Sequence, residues 1–415
     1  MLMKPLAISI LYQIHQSQPV TRRMLGEQTG LSASRVNTLV SYLIDRRLIR
    51  EEVRQDGTRG RPAVSLSINP NAGRVLGLDI GGQYSRAVLS DLAGGVIASL
   101  IYPTQAVPDR EVILSNIIRV VEAICQEGGV SPKEIAALGV GVRGIVDSRT
   151  GIVLDWPNTP SWAAAWAGLD LSTVLRTRLG VDLIVVDDSV RAMGLAAQRF
   201  GSARGSKNFL YVFLGTGIGS GVFVDGKPYR GGSGLAGELG HVTIADDGPW
   251  CSCGSRGCLE TLASTRAVLR RVQERLAEPQ LISSLRASYE RKELTLDALI
   301  EAARAGDKLA FQILDETGTY IGKVLAIALN LLGPELVVLG GPLAQDGGII
   351  LEAVQRQVRL HALQHISSQT RIIYDDQGEL VGAHGAALLA LDALFTSPEH
   401  LGKLANMTVP SHRKR

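Results

Sequence analysis

Between His241 and Glu260 the chain reads HVTIADDGPWCSCGSRGCLE, and no other stretch restricts its folding so tightly. Three of the four cysteines in the chain, Cys251, Cys253 and Cys258, stand here, with His241 ten residues before the first. One imidazole and three thiolates make a closed tetrahedral donor set, which is what a structural zinc ion requires. Gly248, Pro249, Gly254 and Gly257 supply the bends that wrap so short a segment around one ion. A disulfide with one thiol left over is the competing reading. Nothing else in the chain points to an oxidising compartment, and this favours zinc.

Two carboxylates flank the knot, Glu238 three residues before His241 and Glu260 two after Cys258. A metal held through one ring nitrogen fixes the imidazole and leaves the other nitrogen to face something else. With Glu238 and Glu260 beside it, that partner would be rich in hydroxyls. Solvated loop glutamates, or carboxylates that merely support the metal, would look the same in sequence, so the residues alone leave both readings open.

A chain of 415 residues predicts two or three domains rather than one. Its charge is unevenly spread. Residues 1–72 carry ten Lys/Arg against five Asp/Glu, net +5, while the remainder is net −2. A basic head on a near-neutral body predicts a polyanionic partner for the head. No apolar run approaches about 18 residues, so no membrane partner is expected, and the N-terminus lacks a signal-peptide layout. A cytoplasmic location is the expectation.

The head reads as a helix entered through Pro5, a stop at Pro19, then two helices around a short turn. Thr21 is placed to cap the second helix, Gly30 to end it, and Ser32 to cap the third. Val36, Leu39, Val40, Leu43 and Ile44 form one apolar stripe on that third helix, which leaves Ser34, Arg35, Asn37, Thr38 and Ser41 facing outward. A polar, partly basic helix after a glycine turn is the pattern of a DNA-recognition helix. Two strands, 48–53 and 64–68, flank RQDGTRGRPA, a basic wing in which Arg59 and Arg61 suit phosphate or minor-groove contact. Asn69-Pro70-Asn71 marks a linker, which sets a winged helix-turn-helix domain at 1–72.

Beyond it a different α/β fold is expected. VLGLDIGG is a strand ending at Asp79 and running into Gly81 and Gly82, followed by a returning strand; the turn amides could cradle a phosphate. A helix at 110–126, a strand at 137–142 and a buried strand at 183–188 follow, the last delivering Asp187 and Asp188 at its C-terminal end, where α/β folds bind ligands. After a helix at 189–200 the first architecture recurs as FLYVFLGTGIGSGVFVDG, with Gly215, Thr216, Gly217, Gly219 and Gly221 in the turn. Two such hairpins predict two related lobes facing a cleft. A mostly helical stretch to about 333, a strand and glycine turn at 336–344 and an apolar helix at 382–395 complete the chain before a basic tail, 396–415.

The strand–glycine loops, the strand-end aspartate and the pattern GHxxxxxxxxxCxCGxxGCxE together resemble the ROK family over about residues 74–395. With the winged helix in front, the chain looks like the repressor branch of that family. The resemblance implies a bilobal, actin-like, sugar-kinase-like fold, with one lobe at 73–188 completed by helix 382–395 and the second at 189–381. It further implies a homodimer or tetramer on an inverted-repeat DNA operator and a small-molecule sugar effector between the lobes. By the same resemblance, Asn158, Asp188, Glu238, His241 and Glu260 would hold the sugar hydroxyls. In kinase members the aspartate matching Asp188 is the catalytic base, and loops matching Asp79–Gly82 and Gly215–Gly221 carry ATP phosphates. Here Gln83 follows the first glycine pair where kinases carry threonine, and Asp187 precedes Asp188 where they carry asparagine. Two adjacent carboxylates would repel a phosphate unless a cation intervenes. The expectation is therefore a sugar-gated DNA-binding regulator without catalysis; the alternative is an ATP-dependent sugar kinase that also binds DNA.

Overall fold

The computed structural model describes residues 3–54, 63–104, 109–155 and 166–407. Arg59 and Arg61 of the wing and Asn158 of the sugar set lie outside these residues.

The head comprises α1 (Pro5–Ser17), α2 (Arg22–Thr29) and α3 (Ala33–Asp45), then the antiparallel pair β1 (Ile49–Arg54) and β2 (Ala63–Ile68). Thr21 Oγ1 accepts from Met24 N at 3.3 Å, and Gly30 ends α2 in the left-handed region at φ 68°. Ser32 stands at the N-cap of α3 but makes no side-chain capping bond, so its expected role reduces to backbone position. On α3 the apolar stripe is buried, apart from the half-buried Ile44, and Ser34, Arg35, Asn37, Thr38 and Ser41 are exposed.

Two five-stranded sheets follow. The first contains β3 (Arg74–Ile80), β4 (Tyr84–Asp91), β5 (Val96–Pro103) and, after α4 (Arg110–Glu127), β6 (Ile135–Val142). A small sheet of β7 (Ile145–Asp147), β8 (Ile152–Asp155) and β9 (Leu169–Asp170), with helix α5 (Leu171–Leu179), leads to β10 (Ile184–Asp188). The spatial order is β5-β4-β3-β6-β10: an antiparallel meander from β3, with β6 and β10 parallel to it. Helix α6 (Ser189–Phe200) then crosses to the second sheet, built from β11 (Phe209–Leu214), β12 (Ile218–Val224) and β13 (Lys227–Tyr229).

Helices α7 (Leu259–Ala263), α8 (Thr265–Leu276), α9 (Arg286–Glu290), α10 (Leu296–Arg304) and α11 (Lys308–Leu332) precede β14 (Leu336–Gly340). After α12 (Ile349–His361) and α13 (Gln364–Ser367), β15 (Arg371–Tyr374) closes an order β13-β12-β11-β14-β15. The meander on one side of the first strand and the parallel pair on the other repeat the first sheet, so the lobes share one topology. None of the helices among the described residues is long and apolar enough to cross a membrane.

Helix α14 (Val381–Thr396) returns to the first sheet. It lies so close to β3 and β6 that a Cβ at the paired Gly77 and Gly139 would strike the backbone of Ala383 and Ala386. Gly385 makes an equally close crossing over Ala192 of α6. Glycines here replace side-chain thickness with backbone contact, and α6 and α14 become one packed pair between the lobes. The chain does not trail off after 396, as the tail reading expected: α15 (Pro398–Met407) buries Leu401 and Leu404. Side chains of α1, α3, β2, α6, α14 and α15 belong to a single continuous hydrophobic core, so the head is packed on the body rather than hung from it.

Candidate functional site

The knot folds as the glycines and prolines suggest. Ile244 N donates to Gly257 O, Gly257 N to Pro249 O and Leu259 N to Val242 O, which closes a small loop on itself. Gly257 sits at φ 62°, where a Cβ would collide with the Ala245 carbonyl, so no other residue fits there. His241 Nδ1 lies 3.6 Å from Cys251 Sγ, and Cys253 Sγ lies 3.6 Å from Cys258 Sγ. All four donor atoms lie within 4.8 Å of one another. Tetrahedral zinc with sulfur at ~2.3 Å and nitrogen at ~2.1 Å sets its ligand atoms roughly 3.5–3.8 Å apart, so the donor set fits. No disulfide joins any of the four cysteines, and the four-donor geometry favours the metal reading. With Nδ1 turned to the sulfurs, His241 keeps Nε2 for another partner.

Glu260 follows on α7, 8% exposed, and its Oε2 accepts from Ile218 N at 2.7 Å. A Cβ on Gly217 would meet the same oxygen at 2.6 Å. The knot is thus tied directly to the glycine loop Gly215–Gly219, and Glu260 serves that loop with one of its oxygens. Glu238 is exposed to solvent yet crowded by charged neighbours. Burial against protein raises its pKa, Arg191 opposes that, and repulsion from Glu260 adds to it.

On the facing lobe, Asp187 and Asp188 end β10. Asp188 Oδ1 caps α6, accepting from Val190 N at 2.8 Å and Arg191 N at 3.1 Å. Desolvation pushes its pKa up to about 6, against the pull of Arg191 and with help from Glu238 and Asp187. Asp187 is fully buried and spoken for. Arg191 Nε donates to its Oδ1 at 2.8 Å, and Arg230 Nε and Nη2 donate to its Oδ2 at 3.1 and 2.6 Å. The expected repulsion between Asp187 and an incoming phosphate is therefore corrected, because two guanidinium groups neutralise it. Arg191 Nη1 also donates to Ala236 O, two residues before Glu238, and links Asp188's helix to the Glu238 loop.

Asp79 is buried at the end of β3, where Ser189 Oγ donates to its Oδ1 at 2.6 Å. Its Oδ2 has no hydrogen-bond partner and faces Arg143 Nη2 at 3.9 Å. The Arg143 guanidinium in turn lies 4.6 Å from the Phe213 ring centroid on the other lobe. Arg143 thus reaches between the two glycine loops. Gly82, Gln83 and Thr216 are exposed at their rims.

Asp188 and Glu238 are near enough to repel one another, as are Glu238 and Glu260, and Glu260 is bonded to Ile218 beside the second glycine loop. Sequence reading missed Arg143, Arg191 and Arg230. Arg191 had a local signal, standing four residues after Asp187 at a helix start. Arg143 and Arg230 had none, since their partners come from distant segments. The residues expected to meet DNA lie elsewhere: Ser34, Asn37, Thr38 and Ser41 line an open groove on α3, together with Tyr42 and Asp45.

Two lobes of one topology around a cleft with paired carboxylates define a protein of the actin-like sugar-kinase fold, here with a winged helix in front. The ROK family profile matches residues 75–393, and the MarR family profile matches residues 3–60. The chain belongs to the ROK family and carries a MarR-type winged helix-turn-helix at its N-terminus. It is 28% identical to the xylose repressor of Bacillus subtilis over 92% of this chain and 94% of that one. It is 29% identical to the DNA-binding transcriptional repressor Mlc of Escherichia coli over 92% and 91%. Among solved structures, a ROK family transcriptional regulator homologous to E. coli Mlc superposes with TM-score 0.82 at 28% identity, covering 96% of this chain and 98% of that one. A ROK family glucokinase from Streptomyces griseus, solved with glucose and AMPPNP, gives 0.67 at 29% identity over 77% and 99%.

Proposed function

We propose that this chain is a sugar-responsive, DNA-binding transcriptional repressor of carbohydrate-metabolism genes. The observation that carries the proposal is the union of two parts in one core: α3 keeps its polar face open, while α1 behind it packs on the helices that border the cleft. Relatives of nearly the same length bear repressor names, which favours the same reading. Asp188, Glu238, His241 and Glu260, with Asn158, hold the hydroxyls of the effector. Zinc on His241, Cys251, Cys253 and Cys258 supplies no chemistry in this reading; it fixes the imidazole and the start of α7. On DNA, Ser34, Arg35, Asn37 and Thr38 meet base edges and backbone while Arg59 and Arg61 meet phosphates. Two copies bind an inverted repeat, as paired winged helices do.

The cleft serves as a sensor rather than a kinase. Gln83 offers no threonine hydroxyl at the first phosphate loop, and Arg143 sets a fixed cation beside Asp79, where a metal–nucleotide would need room. The alternative, a sugar kinase that also binds DNA, draws support from the retained Gly215–Gly219 loop and Asp188. A coupled phosphorylation assay with glucose, N-acetylglucosamine, xylose and fructose, run beside operator binding with each sugar, separates the two. Turnover in the ordinary range of about 1–100 per second would replace the sensor reading with the kinase one.

A further inference from the structure

We infer that helix α6 carries the state of the cleft to the DNA-binding head, through a clamp that Arg199 and Asp392 close on the last turn of α1. The inference rests on the reading of the cleft as a sugar site and adds the route by which occupancy reaches DNA.

The N-terminal end of α6 belongs to the cleft. Asp188 caps it, Ser189 holds Asp79, and Arg191 ties it to Asp187 and to the backbone that leads into Glu238. A ligand bridging Asp188 and Glu238 bears directly on this first turn. The C-terminal end belongs to the head. Arg199 Nη1 donates to His15 O at 2.8 Å, and Nη2 reaches Gln16 Oε1 at 3.3 Å and Asp392 Oδ1 at 3.8 Å. His15 O is one of the last-turn carbonyls of α1 that the helix cannot satisfy internally, and a guanidinium is the favourable partner at that pole.

Asp392 of α14 completes the clamp. Its Oδ1 is hydrogen-bonded to His15 Nε2 at 2.8 Å and accepts from Gln16 Nε2 at 3.2 Å. The His15 ring, 2% exposed, also lies 4.5 Å from the Phe395 ring. Between its ends α6 spans ~18 Å for its 12 residues, too short and too well packed on α14 to absorb a displacement by bending. Behind the clamp, Ile10, Leu11 and Ile14 are fully buried with Val40 and Leu43 of α3. Moving α1 therefore moves the recognition helix.

The test is a linkage measurement on the full chain. Fluorescence anisotropy gives operator Kd with and without glucose, xylose or N-acetylglucosamine, and thermal shift reports binding of the same sugar. Wild type should show a change in operator Kd of about 5- to 150-fold with one of them. Arg199→Ala should bind that sugar as wild type does, while its operator Kd changes less than about twofold. Asp392→Asn, which keeps shape and removes only charge, should reduce the ratio in the same direction, and Arg199→Lys should restore part of it. A wild-type ratio in both Arg199→Ala and Asp392→Asn overturns the connector. A wild type that responds to no sugar overturns the sugar reading itself, which distinguishes the two failures.

Discussion

Asp187 and Asp188 are neighbours with different tasks. Asp187 spends both oxygens on Arg191 and Arg230, while Asp188 spends Oδ1 on the α6 cap. Replacing Asp188 by Asn should weaken binding of the responsive sugar about tenfold or more, because a charged acceptor is lost. The pH dependence follows from its pKa of about 6. Above about 7 the carboxylate is ionised and accepts; as pH falls through 6 it gains a proton and loses acceptor strength. Sugar affinity by calorimetry should therefore drop below pH 6 in wild type and stay flat in Asp188→Asn. Stability runs the opposite way. The folded chain holds this proton more tightly than the unfolded chain, so this group favours folding increasingly as pH falls from about 7 towards 4. A second residue-scale prediction concerns Arg143. Removing its guanidinium in Arg143→Ala should tighten Mg–AMPPNP binding relative to wild type; equal affinities would show that Arg143 does not obstruct the loops. Sequence showed the two aspartates but neither Arg230 nor Arg143, because charge partners from distant segments leave no local pattern.

Among elements, the His241–Cys251–Cys253–Cys258 donor cluster is the most legible in the sequence and the glycine hairpins nearly so. Four donors with bend residues between them admit few geometries, and strand–glycine–strand runs leave a period that can be read. The α12–β15 segment leaves little signal in the sequence, since Arg371–Tyr374 is only four residues long and pairs with β14 from before α12. Helix α15 reads as tail in the sequence because its apolar residues find their partners in the head and first lobe. Cys253→Ser should abolish stoichiometric zinc in metal analysis and lower the melting temperature by at least about 5 °C, given the several kcal/mol that structural zinc contributes. It should also blunt the sugar response, since Glu260 and His241 both leave the knot. Full zinc content in the variant would refute the ligand set. For the head, Arg59→Ala with Arg61→Ala should weaken operator binding across sequences and flatten its salt dependence by about one unit of slope per contact. Asn37→Ala or Thr38→Ala should instead change which bases are preferred in a selection experiment, at a cost of about 1–3 kcal/mol at the affected position. Unchanged affinity in both pairs would move the DNA-reading surface elsewhere.

At the level of the whole molecule, hydrophobic and glycine patterns foretold two lobes and a head, but not that α1, α6 and α14 share one core. That union depends on which apolar faces meet, and periodicity shows a face without its partner. It is also what makes a sugar-gated DNA binder physically coherent, since the cleft and the recognition helix are joined by packed helices instead of a loose tether. The central claim is that cleft occupancy changes DNA affinity without chemistry. It is tested most directly by titrating a labelled operator with the full-length protein, with and without each sugar, while ATP consumption is followed in the same samples. The account predicts a change in operator Kd of at least about fivefold with one sugar and no sugar-dependent ATP consumption. Operator affinity that is indifferent to every sugar, together with steady phosphorylation of one of them, would contradict it.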